Sequence, residues 1–541
     1  MPNCSANCAK LSAGNGGIGI ILRGGDTWHE GNSSATPYTG GTWDLYGWYG
    51  NAYGGNVSNC VYEGSQTGCL YVGVDTTWYN SANCGSWCRP ILTGDNPTAT
   101  AFVSSCAYQV ANPGGNFGTN SLVTMPAWTI LDSFELTGLC ASAANTANGN
   151  TYVGGWASGG NYKPISMLEN SYLHGWTSTS TAGTGSGSHP VTILGGGGGV
   201  WQVFDHVVID GSDSDPQVAS WGDFPWFYHM RDSIIRYISQ GVGAQCHDIH
   251  DNIFEHFYYT LYDGHRNMLE CNHDAGSNQS PATSTPNVVY NNVVRHFDPS
   301  FGNGEVFWFC PNYNAEYWFN NLMYDVLVPG SGQPWAIAGT QQYGDCVGGG
   351  PAGQTGIGGQ FMFNNTLVDL SQTCKTSGSN LSGGAYLTVY NEHLINSPYD
   401  GPGCTGYGSS SNVVMSPATA QSQGYTMASA GLSSPHTCAN DGTTPCAPMA
   451  STKATVGVGT NVQTYCTQLA SYTSDSSISV DAANACKYGT TDGCSYNGTS
   501  HTMVCPGQGV VTRPTTTAWD SGAYQYFGAQ APTNLTGTVP Q

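Results

Sequence analysis

The phrase His250-Asp251-Asn252-Ile253-Phe254-Glu255-His256 decides the fold, because it recurs. It returns as Tyr290-Asn291-Asn292-Val293-Val294-Arg295-His296, as Phe319-Asn320-Asn321-Leu322-Met323-Tyr324-Asp325, and as Phe363-Asn364-Asn365-Thr366-Leu367-Val368-Asp369. Weaker copies are Leu131-Asp132-Ser133-Phe134, Leu168-Glu169-Asn170-Ser171, Phe204-Asp205-His206-Val207, Met230-Arg231-Asp232-Ser233-Ile234 and Tyr390-Asn391-Glu392-His393-Leu394. Aligned on one another, they put Asp132, Glu169, Asp205, Asp232, Asp251, Asn291, Asn320, Asn364 and Asn391 in a single column. A repeat that carries a strand in every copy predicts a solenoid. Asp and Asn suit its corners, because they tolerate a left-handed backbone and bond the local chain. Stacked roughly 4.8 Å apart, they can also bond one another. An antiparallel sandwich would instead show alternating runs joined by tight hairpins, and few Asn-Gly or Asp-Gly pairs stand at hairpin spacing.

The expected fold is therefore all-β, a parallel β-helix with irregular, disulfide-rich terminal regions. Residues 1–125 read as aromatic, irregular opening coils, 126–400 as regular coils, and 401–541 as final coils and a Ser/Thr/Gly-rich, disulfide-tied cap. Periodicity gives no convincing amphipathic helix.

Composition narrows the function. Charged residues are only 9% of the chain and the net charge is −22, which excludes nucleic acid and anionic membranes as partners, since both need basic patches. No apolar run is long enough to span a membrane. Twenty cysteines spread along the chain in close pairs. No repeated C-x₂-C with distant His accompanies them, so zinc explains them poorly. An oxidising compartment explains them better, and a secreted protein is expected. Neighbouring cysteines are expected to pair in order, including Cys246 with Cys271 and Cys310 with Cys346.

The phrases Asn291-Asn292-Val293-Val294, Phe363-Asn364-Asn365-Thr366, Gly25-Asp26-Thr27-Trp28 and Ala518-Trp519-Asp520-Ser521-Gly522-Ala523-Tyr524 resemble bacterial secreted right-handed parallel β-helix proteins of the pectate-lyase-like superfamily. The resemblance implies the right-handed winding, and it implies a secretion signal and first strand ahead of Met1. It carries no reaction. That superfamily holds polysaccharide lyases, glycoside hydrolases, epimerases, phage tailspikes and adhesins. Neither the paired aspartates with Gly-His-Gly of polygalacturonases nor a pectate-lyase arginine motif occurs here.

Charge is scarce, so its clustering informs. Arg231, Arg236, Arg266 and Arg295 fall close together, among His residues and carboxylates. In the repeat frame Arg236, Glu255, Arg295 and Tyr324 share a position, preceded by apolar Ile235, Phe254, Val294 and Met323. Alternation puts the first set outside and the second inside. The next position holds Tyr237, His256, His296 and Asp325, where a bend makes the facing ambiguous.

Glycoside hydrolysis needs two carboxyls flanking the bond, for which Glu255, Glu270 and Asp263 are candidates. Lyase chemistry on a uronate needs a cation and a base. Arg266 or Arg295 would serve as the cation, and His265 or His256 as the base. Arg236, His296, Trp226 and Tyr258 complete the expected substrate groove. An ordinary cross-strand charge ladder is the competing reading.

The loop Asp210-Gly211-Ser212-Asp213-Ser214-Asp215 has alternate carboxylates like a calcium loop but lacks a closing Glu. A solvated turn is the plainer reading; no cofactor is expected, and calcium is the one ion in question. The expected partner is a polysaccharide or surface glycan, bound by a hydrolase or lyase. The alternative is a non-catalytic structural, adhesive or fibre-forming protein that assembles end to end.

Overall fold

The structure, a computed structural model, describes residues 9–14, 17–30, 43–44, 70–108, 121–125, 129–141, 150–155, 165–179, 191–196, 201–214, 219–223, 226–238, 245–258, 267–271, 286–297, 305–309, 316–326, 335–339, 360–370, 372–375, 387–397, 411–426, 446–472, 476–490, 494–505 and 511–526. Two 12-stranded sheets run its length. Each repeat gives one strand to sheet I, turns, and gives a short strand to sheet II. Gln245–His250 of sheet I, for example, is followed by Ile253–Glu255 of sheet II. Each strand pairs in parallel with its counterpart one repeat on, as in Ile253↔Val293 and Val293↔Leu322. The antiparallel strand Ala9–Gly14 lies at the edge of sheet I, against Gly17–Gly24. Further parallel strands form a five-stranded sheet and a four-stranded sheet. The pattern is consistent with a parallel β-solenoid, in line with the repeat.

Alternation sets the interior. Leu131, Leu168, Phe204, Met230, Ile249, Val289, Trp318, Met362 and Val389 of sheet I join Ile235, Phe254, Val294 and Met323 of sheet II in one core. The inside and outside sets of sheet II are as the sequence predicts.

The corner column needs a correction. The left-handed residues between sheets I and II are Ser133, Asn170, His206, Asp232, Asp251, Asn291, Asn320, Asn364 and Asn391. Asp132, Glu169 and Asp205 stand one residue earlier, at the ends of their strands, with Asp205 opposite Arg231 and Arg231 opposite His250. In these three copies an acid occupies the outward strand end that an aromatic fills in Tyr290, Phe319 and Phe363, so aligning on the acids slips the register by one.

The side chains that bond vertically come one residue after the corner. Asn252, Asn292 and Asn321 each donate from Nδ2 to the next side-chain oxygen, at 3.0 Å, through Asn292, Asn321 and Asn365. Their backbone N–H groups reach the same oxygens. Buried polar groups demand such satisfaction.

A second left-handed corner follows sheet II, at Tyr237, His256, His296, Asp325, Asp369 and Asn396. A bulky Tyr is uncommon there, which is why parity could not be read across it from sequence.

After the last strand of sheet II, Val413–Met415, the chain forms short helices at Pro417–Ser422, Gln463–Leu469 and Ser476–Ala485. These are helices that periodicity did not reveal, because they are short, carry a single charged residue, Asp481, and bury small faces such as Cys466 and Leu469. The segment then lies along the solenoid's flank. It covers Val208, Ile234, Ile253, Val293 and Leu322 on the outer face of sheet II with Cys446, Met503 and Tyr524. It covers Val288, Tyr290, Tyr317, Phe319 and Phe363 outside sheet I with Val462, Leu469, Ala482 and Trp519. Each aliphatic side chain so buried contributes about 1.5–3 kcal/mol, enough to hold the flank in place.

The described disulfides are Cys84–Cys88, Cys106–Cys140, Cys466–Cys486 and Cys494–Cys505. All join cysteines adjacent in sequence order. The expected pairs of Cys246 with Cys271 and Cys310 with Cys346 lie outside the described side chains. Such bonds are compatible with an extracellular protein. Among the described residues no helix is long and apolar enough to cross a membrane.

Candidate functional site

The repeat register brings Arg236, Glu255, Arg295 and Tyr324 into one outward column. Glu255 accepts from Arg295 Nε at 2.8 Å and lies 3.2 Å from Arg236 Nη1. Arg295 Nη1 donates to Tyr324 Oη at 3.1 Å. Glu255 is only 4% exposed. Burial alone would raise its pKa, but the two guanidinium groups outweigh burial and hold it below the usual carboxylate range. A carboxyl so held is a poor proton donor.

The flank segment closes over this column. Its hairpin, Ser495–Asn497 with Thr502–Val504, brings Tyr496 against Arg236, whose guanidinium lies 5.1 Å from the ring centre. Tyr496 Oη donates to Asp210 Oδ2 at 2.9 Å. Arg89 donates to the carbonyls of Ser500 and His501. Tyr172 is stacked between His174 and His501 at 4.1 and 4.0 Å. His174 meets Asp213 at 2.7 Å and Glu135 at 3.1 Å. Burial would lower its pKa, but these carboxylates raise it to about 9.

The other predicted residues divide. His256 is stacked on Tyr237 at 4.3 Å and on His296 at 5.6 Å, and burial lowers its pKa. His296 Nδ1 meets Asp325 at 2.6 Å. Tyr258 is half-buried and 6.4 Å from Tyr237. Glu270 and Trp226 lie in the strands Asn267–Cys271 and Trp226–Arg231, with side chains outside the described set. Asp263, His265 and Arg266 lie outside the described residues altogether.

The outer face of sheet I holds a second ionic set. Asp132, Glu169, Asp205, Arg231 and His250 follow one another in register at the strand ends. Most of these side chains are partly exposed. Tyr71 Oη donates to Asp132 Oδ2 at 2.6 Å, and Asn170 Nδ2 donates to its other oxygen at 2.9 Å. Arg231 Nη2 donates to Asp205 Oδ2 at 2.8 Å, and His206 Nδ1 meets the other oxygen. For Asp205 these partners overcome burial and lower the pKa. Glu169 has neighbours of its own sign. Burial, then Asp132, then Asp205 push it up to about 7.

Here, then, are carboxyls on adjacent strands whose pKa values are pushed in opposite directions, the division that acid–base chemistry uses. Sequence reading missed it by placing Asp132, Glu169 and Asp205 in the corner column. The strand alternation that turns Leu131, Leu168 and Phe204 inward turns the three acids outward, and that was the available signal.

For a cation, Asp205, His206 and Asp232 offer ligand atoms within 4.8 Å of one another. Arg231 already neutralises part of that charge. The 210–214 loop spends its carboxylates on protein donors. Asp213 accepts from Gly175 N–H and Ser214 Oγ, and Asp210 from Ser212 N–H and Tyr496.

Comparison with known proteins gives no match: no family model, no curated protein and no solved structure is significantly similar to this chain.

Proposed function

We propose that the chain is a secreted, polysaccharide-active protein of the right-handed parallel β-helix type, and that it hydrolyses glycosidic bonds at Asp132, Glu169 and Asp205. The observation that carries this reading is Glu169, a carboxyl with a pKa raised to about 7 between two other carboxyls in register. Protonated below about pH 7, Glu169 gives its proton to the glycosidic oxygen. Asp205, held ionised by Arg231 and His206, attacks the anomeric carbon as the glycosidic oxygen leaves with that proton, and water then hydrolyses the glycosyl ester. Strand spacing of ~4.8 Å puts Glu169 and Asp205, register partners on adjacent strands, near the ~5–5.5 Å of a retaining pair. A lyase reading has less support, because the cations described on this face are engaged, Arg231 by Asp205 and His250 by Asp251 and Asp248.

The test is a panel of polysaccharides read for new reducing ends and for the ultraviolet absorbance of unsaturated products. Reducing ends without that absorbance, lost in Glu169→Gln, support the proposal. Full activity in that variant overturns the assignment.

One observation favours the non-catalytic alternative. Val414, in the last strand of sheet II, is 45% exposed although its pairing partner Leu394 is buried in the core. End-to-end assembly would bury it, and filaments in electron micrographs of the purified protein would decide for that role.

A further inference from the structure

Deepening the hydrolase reading, on which it rests, we propose that Tyr71 is a sugar-binding platform on the outer face of sheet I. Its ring packs against the C–H face of a pyranose unit next along the chain from the one cleaved at Glu169 and Asp205.

The first observation is where the ring goes. Strand Leu70–Tyr79 pairs in parallel with Thr129–Asp132, Tyr71 opposite Ile130 and Val72 opposite Leu131. Val72 and Leu131 belong to the core, so alternation turns Tyr71 and Gly73 outward. The same register brings Gly73 beside Asp132, at the head of the strand-end column. Tyr71's own neighbours in register, Ile130 and Met167, are buried. The ring leaves them and crosses over Gly73, where a Cβ would collide with Tyr71 Cζ and Oη. Glycine is what lets the ring lie there, and the ring fills the place next to Asp132.

The second observation is how the ring is held. Tyr71 Oη donates to Asp132 Oδ2 at 2.6 Å, while Asp132 Oδ1 accepts from Asn170 Nδ2 and Ser133 Oγ, each at 2.9 Å. The polar end of the side chain is tied down, and Tyr71 remains partly exposed. A tyrosine with an anchored hydroxyl and an accessible ring offers apolar area at little further entropy cost. The C–H face of a pyranose is the matching surface, and the sugar's hydroxyls can donate to the carboxyls alongside. Two strand spacings, roughly 10 Å, separate this position from Glu169. The platform therefore takes a neighbouring unit and leaves proton transfer at Glu169 clear.

The experiment measures binding of β-glucan, xylan, chitosan and polygalacturonate by affinity electrophoresis, in the Glu169→Gln protein so that no probe is consumed. Tyr71→Ala, Tyr71→Phe and Gly73→Ala are each added to that background, with circular dichroism confirming the fold. Tyr71→Ala is expected to weaken binding of the polymer taken by about 10-fold. Tyr71→Phe keeps the ring and should bind nearly as its parent does. Gly73→Ala keeps the tyrosine but displaces its ring, so it should weaken binding too, and it decides alone if Tyr71→Ala does not fold. With Glu169 restored, Tyr71→Ala should raise KM more than it lowers kcat. Equal losses in Tyr71→Phe and Tyr71→Ala would mean that the hydroxyl acts through Asp132, which overturns the platform. Unchanged binding in Tyr71→Ala also overturns it, while Glu169-dependent cleavage leaves the hydrolase reading standing. Tyr71-dependent binding without any Glu169-dependent cleavage overturns the hydrolase reading and supports the platform. Binding of none of the probes overturns the platform.

Discussion

Asn365 donates from Nδ2 to Oε1 of Glu392 at 3.0 Å, and its backbone N–H points to the same oxygen at 3.3 Å. Glu392 thus stands where Asn252, Asn292, Asn321 and Asn365 stand in earlier repeats. It is fully buried, and burial raises its pKa well above the ordinary carboxylate value. A protonated carboxyl supplies the acceptor oxygen of an asparagine rung.

Glu392→Gln is therefore expected to stabilise the fold, and more so as pH rises. The unfolded carboxyl ionises near pH ~4.3, while the folded one keeps its proton. Wild-type stability should then fall with pH from that point up to the folded pKa, by at most about 1.4 kcal/mol per pH unit for this group. Glutamine removes the slope. Thermal melts of both proteins across pH 4 to 8 check it (the range brackets ~4.3); parallel curves would sink the idea.

Asn292→Leu is expected to cost roughly 3–6 kcal/mol, because it strands several buried polar groups at ~1–3 kcal/mol each. Those groups include the Ile249 carbonyl at 2.9 Å and the Asn252 N–H at 3.1 Å. Asn170→Ala, at an exposed corner position with a left-handed backbone, should cost less, about 1–2 kcal/mol. Chemical denaturation of the two variants makes the comparison.

Glu169 predicts a pH limb. Its proton is present below about pH 7 and lost above, so hydrolysis should decline on the alkaline side of that value. The same shift opposes folding, since an acid with a raised folded pKa loses stability as pH rises from ~4.3 to its folded value. Glu169→Gln should be inactive yet no less stable at pH 7, as activity profiles paired with melts will reveal.

Glu255 carries the opposite sign. Its pKa is depressed, so its contribution is present above the unfolded value of ~4.3 and lost as pH falls through the lower folded value. Glu255→Ala leaves Arg236 and Arg295 without their shared anion and should cost about 3–5 kcal/mol. In the protein that remains folded, hydrolysis per mole should persist; its loss would return Glu255 to the list of catalytic candidates.

The hairpin at 494–505 is closed by a disulfide spanning 11 residues. Replacing both cysteines by serine should cost up to about 3 kcal/mol and expose the hairpin to protease before the solenoid. A cleavage time course followed by mass spectrometry is the measurement.

The sequence by itself determined the repeat, the strands within it, and which residues of sheet II face inward. Those features follow from local alternation and from Asn and Asp at bends, which neighbouring residues write directly. The Arg236–Glu255–Arg295 column was legible for the same reason. Only the tertiary structure decided that this column lies beneath a segment more than two hundred residues away in sequence, because Tyr496 and Met503 announce nothing about what they cover. It also decided the register of Asp132, Glu169 and Asp205, where an acid and an aromatic exchange places at a strand end. A one-residue slip there moves a side chain from the corner to the open face of a sheet, and that difference separates a turn from a site.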